Sequence, residues 1–154
     1  SMLGSLVTPN PEDSVRTQVL MRSTPLIHYV TVLRSNYSDA FIAVHEPFRG
    51  EPTITSVTRL YEDDHRVAVK IESPRFTDYV AVAFDGEDVA VDQPDVRLVV
   101  KGRYGFIRIA DGVLTATGNI KAATIQRTDV TQATLNGRSV RLTIQDGAVS
   151  FNAD

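Results

Sequence analysis

A chain of 154 residues, 42% hydrophobic and 23% charged, can bury a core without help from disulfides or metals. Its net charge of −3, from 16 basic and 19 acidic residues, argues against a nucleic-acid partner. It has no cysteine, which excludes thiolate chemistry, and no apolar run approaches the roughly 20 residues of a membrane-inserting helix.

Residues 1–15 carry Pro9 and Pro11 and little periodicity. Ser1-Met2 reads as a cloning remnant and the stretch as a linker or lead-in, with one domain expected over 16–154. Strands are expected at Thr17–Arg22, Leu26–Arg34 and Asp39–His45, the last two joined through Ser35-Asn36-Tyr37-Ser38. Further strands are expected at Thr53–Leu60, Arg66–Glu72, Thr77–Phe84, Val96–Val100, Tyr104–Ala110, Val113–Thr117, Lys121–Gln126, Val130–Leu135, Ser139–Gln145 and Ala148–Phe151. In Arg66–Glu72 and Ser139–Gln145 apolar and polar residues alternate strictly, so each can bury one face and wet the other. Asp85-Gly86, Asp111-Gly112, Asn136-Gly137 and Asp146-Gly147 carry the chemistry of tight hairpins.

Ten or more short strands, frequent turns and no long helical stripe predict an all-β fold. The prolines and uneven loops favour an antiparallel β-sandwich of two sheets over a closed barrel.

Little in the chain carries chemistry by itself. His28, His45 and His65 have no metal-ligand spacing, and the chain has no phosphate loop or nucleophile elbow, so no metal, cofactor or catalytic residue is expected. Asp63-Asp64 and Glu87-Asp88 read as solvated loop acids, since a calcium site needs more oxygens at fixed spacing. The densest polar segment is His45-Glu46-Pro47-Phe48-Arg49-Gly50-Glu51-Pro52, whose prolines fix its path. It reads either as a contact for sugar or partner, with Arg49 gripping a carboxylate or sulfate, or as a rigid crossover in which Glu46 and Arg49 satisfy local groups. Arg103-Tyr104-Gly105-Phe106 marks either a bulge or a close approach of ligand to backbone. The candidate contact residues are therefore His45, Glu46, Arg49, Glu51, Arg103 and Tyr104.

The HEPFRGEPTITSV segment after the strand FIAV resembles the C-terminal β-domains of bacterial heparinase II/III-like proteins. Thr77-Asp78-Tyr79-Val80, Gly102 to Arg108 and Val130 to Gly137 resemble later strands of the same region, so the likeness spans roughly 16–151. The resemblance implies a secreted or cell-surface polysaccharide-lyase-like parent in which an α/α toroid supplies most of the groups for elimination. This chain has no run of amphipathic helices and no recognisable histidine-containing metal segment. The expectation is a non-catalytic accessory domain that packs on the toroid or completes its cleft, with acidic polysaccharide as a further partner. A carbohydrate-binding module and a structural or adhesive domain are the alternatives; the 7% of aromatics and the absence of tryptophan weigh against the module.

Overall fold

A computed structural model describes residues 2–6, 16–22, 27–33, 43–47 and 51–153. The chain divides into two compact units, Ser1–Thr53 and Ile54–Asp154.

In the first unit, β1 (Met2–Leu6) pairs antiparallel with β4 (Ala43–Pro47). β2 (Arg16–Arg22) pairs antiparallel with β3 (Ile27–Leu33). The start of the expected lead-in is thus a strand, and residues 7–15 lie outside the described residues. His28 sits on β3 and pairs with Met21, while the connection at 35–38 lies outside the described residues.

The second unit is built from ten strands: β5 (Ser56–Glu62), β6 (Arg66–Glu72), β7 (Thr77–Ala83), β8 (Val89–Gln93), β9 (Val96–Ala110), β10 (Val113–Ile125), β11 (Gln132–Leu135), β12 (Arg138–Ser139), β13 (Thr143–Gln145) and β14 (Ala148–Asn152). The all-β, largely antiparallel architecture is the expected one. Hydrogen bonding joins all ten strands into one sheet, because β9 and β10 each take two sets of partners. Residues 104–109 of β9 pair with β7, whereas residues 96–100 pair with β8. Likewise the first part of β10 pairs with β11 and its last part with β14. The sheet therefore has two wings that share a long hairpin. One wing carries β5, β6, β7, β11 and β12, the other β8, β13 and β14.

The hairpin changes wings at a corner visible in its burial pattern. Val96, Leu98 and Val100 are buried along one half of β9, and Gly105, Ile107 and Ile109 along the other. The inward parity switches between them, which requires extra residues: 101–104 stand opposite Asn119 alone. Such irregularities are how strands turn corners between layers. The corner is too tight for side chains. A Cβ on Gly105 would lie 2.7 Å from Val100 Cγ2 and 2.9 Å from Ile120 Cγ1. Gly118 has φ +100, and a Cβ there would meet the Tyr104 carbonyl oxygen at 2.5 Å.

Both wings feed one core. Ala68, Tyr79, Ala81 and Ala83 come from one wing, and Val89, Val91, Val149 and Phe151 from the other. Fully buried Leu98, Ile107, Ile109 and Ile125 from the shared hairpin contribute about 1.5–3 kcal/mol each by leaving water.

Several expectations need correction. The runs 96–100 and 104–110 are one strand, as are 113–117 and 121–126, because the corner bends the ladder without ending it. β11 runs parallel to β10. Asp111-Gly112, Asn136-Gly137 and Asp146-Gly147 turn hairpins with both residues at positive φ. Asp85-Gly86 makes no hairpin: it links β7 to β8 along the same edge of β9. The run 139–145 is not one strand. β12 pairs with β11 on one wing and β13 with β14 on the other, so residues 140–142 carry the chain across. Val140 and Leu142 still pack on the core, which is why their alternation looks like a strand.

Candidate functional site

The half-sheet formed by β6, β7 and the later part of β9 turns one face toward the core and the other away from it. Register places the outward residues in three cross-strand rows. Val67, Val82 and Tyr104 form the first; Val69, Val80 and Phe106 the second; Ile71, Asp78 and Arg108 the third. Most of these are apolar: Val67 and Val69 are buried, Ile71, Val80, Val82 and Phe106 are half-buried, and β6 carries its charged Arg66, Lys70 and Glu72 on the other face, beside Ala68. Tyr104 is 51% exposed and its ring leans on Gly118, where a Cβ would come within 2.9 Å of ring carbon Cε2.

The third row holds the buried charge. Asp78 is 4% exposed and accepts two hydrogen bonds from Arg108, from Nε at 2.8 Å and from Nη2 at 2.7 Å. The Arg108 guanidinium lies over the Phe76 ring, 4.4 Å from its centroid, and 5.7 Å from that of Phe106. The hydrogen bonds to Asp78 raise its already high pKa against the opposing effect of burial, so the arginine stays charged. Together these groups make an apolar platform with one oriented cation and one phenol.

The other sequence candidates are placed as follows. His45 lies on β4 and pairs with Gly4. Glu46 Oε1 accepts hydrogen bonds from Thr53 N at 2.8 Å and Thr53 Oγ1 at 2.6 Å, which is the backbone-satisfying role of a rigid crossover. Arg49 lies outside the described residues, and Glu51 is exposed. Arg103 is exposed at the corner of β9, next to Tyr104. His65 is exposed in the β5–β6 turn.

The acids of that turn are structural. Asp63 accepts hydrogen bonds from the Tyr61 hydroxyl at 2.7 Å, His65 N at 2.9 Å, Arg66 N at 2.7 Å and Arg66 Nε at 2.8 Å. The Tyr61 hydrogen bond first, then that from the His65 backbone, holds its carboxyl far below the usual carboxylate range. Asp88 pairs with Lys101, and Asp85 caps the Glu87 backbone at 3.0 Å. Among the described residues no three His, Asp or Glu side chains stand close enough to hold a metal ion.

Sequence reading reached Tyr104 but missed Asp78 and Arg108. Both are polar residues within strands, and only the register shows that they face each other. In comparisons with known proteins, no family model, curated protein or solved structure matches the chain.

Proposed function

We propose that this chain is a non-catalytic accessory β-domain of a secreted, multidomain polysaccharide-lyase-like protein. Its outward face on β6, β7 and β9 would pack against an adjoining α/α toroid domain of the same parent. The observation carrying this reading is the largely apolar face that these strands turn away from the core, on which Val80, Val82 and Phe106 are half-buried and Tyr104 is exposed. The part of Val80, Val82, Phe106 and Tyr104 left open gains nothing from facing water, and at about 25 cal/mol per Å² its coverage by a neighbour stabilises the pair. The Arg108 cation, held flat against Phe76, adds a fixed donor for a carbonyl or carboxylate on that neighbour.

Hydroxyl-radical footprinting of the isolated chain and of the full parent protein tests the reading. Tyr104 and Phe106 are expected to label several-fold more slowly in the parent. Equal labelling would rule out this face as the docking surface. Incubating the isolated chain with uronate-containing polymers should yield no unsaturated product, and product formation would overturn the non-catalytic assignment.

A further inference from the structure

The segment that carries the chain from one wing to the other lines an open cleft of about 740 Å³. The apolar part of its lining comes from Leu135, Val140 and Phe151. The polar part includes Arg138 and Arg141, with Asn136 and Asn152 among the amides. A second hollow of about 540 Å³ shares Leu135, Asn136 and Ala153 with the first and extends it past Asn119 to Lys121 and Lys101. The two form one groove from Arg141 to Lys121. Its described lining contains no Asp or Glu.

That is unusual for this chain, in which acidic residues outnumber basic ones, 19 to 16. Most of its described cations have carboxylate partners nearby: Arg59 with Glu62, Arg66 with Asp63, Arg97 with Asp92, Arg108 with Asp78 and Arg127 with Asp129. Arg138, Arg141 and Lys121 have no such partner among the described residues. Lys101, at the far end of the groove, is paired with Asp88; the other three are like charges without a carboxylate beside them, and an anion relieves their repulsion.

We propose that this groove binds an acidic polysaccharide, with Arg138 and Arg141 on successive carboxylate or sulfate groups and Lys121 on a further one. A guanidinium matches either anion with two parallel hydrogen bonds. The amide of Asn152 and the hydroxyl of Ser139 suit sugar hydroxyls. Nucleic acid fits less well: the one aromatic in the lining, Phe151, is 3% exposed and offers no stacking face. This groove holds its ligand whether or not the outward face of β6, β7 and β9 docks on another domain.

The test is affinity electrophoresis and calorimetry of the full chain with polygalacturonate, dextran sulfate, uncharged dextran and a single-stranded oligonucleotide. Binding to polygalacturonate or dextran sulfate, and not to dextran, is expected; the stronger of the two identifies carboxylate or sulfate as the anion. Each of Arg138→Gln and Arg141→Gln should weaken it by about tenfold, and Lys121→Gln by less. All three side chains are exposed, so the variants should fold, and circular dichroism is the check. No binding to either acidic polymer would overturn the proposal. So would equal binding by wild type and the Arg138→Gln/Arg141→Gln double variant, or tighter binding of the oligonucleotide.

Discussion

The side chain of Asn136 stands in for a strand on Gly118: it accepts a hydrogen bond from Gly118 N at 2.9 Å and donates one to Gly118 O at 3.1 Å. Its own backbone N donates to Ala116 O at 2.9 Å. β11 runs parallel to β10 only as far as Leu135, which pairs with Ala116. The amide thus extends that ladder by one step at the corner, where the Gly118 backbone would otherwise lack partners. Asn136→Ala should cost about 1–3 kcal/mol, read as a lower urea midpoint at unchanged slope. Asn136→Asp keeps the acceptor but turns an anion toward the Gly118 carbonyl, so it should fall no higher than the alanine variant.

The Asp78–Arg108 pair predicts an asymmetry. Asp78 is 4% exposed, whereas the Arg108 side chain is 47% exposed. Arg108→Ala leaves a buried carboxylate without its bidentate partner and should cost about 2–4 kcal/mol, below the largest penalties because neighbouring water can reach part of the pair. Asp78→Ala leaves an arginine that can turn into solvent, at about 1 kcal/mol. Denaturant titration of both variants decides it: equal losses would show that burial does not govern the pair.

At the corner of β9, Gly105→Ala should destabilise by about 2 kcal/mol or more, because its methyl would press on Val100 and Ile120. Val100→Ala alone leaves a cavity and also destabilises. Combined, the added methyl fills space that the valine vacated, so the double variant should lose less than the sum of the two. A double-mutant cycle measures that coupling.

Asp63 links stability to acid pH. Its folded pKa lies below its unfolded value, because Tyr61 and the turn backbone bond the charged form. Such a group binds more protons when unfolded, so its contribution is full above the unfolded pKa and is lost as pH falls through the folded one. Glu72, lowered by hydrogen bonds from Ser56 and Lys70, has the same sign. Melting temperature should therefore fall on acidification below about pH 4, and Asp63→Asn should make that fall shallower while leaving its slope near neutrality unchanged.

The strands were legible where alternation and pairing coincide. Arg66–Glu72 has the bounds its pattern predicts, since every residue of the run pairs with β7. Alternation reports which side of the backbone is buried, however, and not whether the ladder is continuous. Hence 139–145 reads as a strand although its middle crosses between wings. Val89–Gln93 escaped notice because a five-residue segment with only Val89 and Val91 buried is too short to show a period. Asp78 and Arg108 lie thirty residues apart, and the groove assembles Lys121, Arg138 and Arg141 from separate elements, so neither was visible as a motif.

The long β9–β10 hairpin has a consequence for how residues 54–154 come apart. Each of its strands is a rib common to both wings, so neither wing can detach without breaking hydrogen bonds that the other depends on. Unfolding of this unit should be all-or-none, with the slowest amides of β7 and β14 exchanging at one shared rate through one global opening.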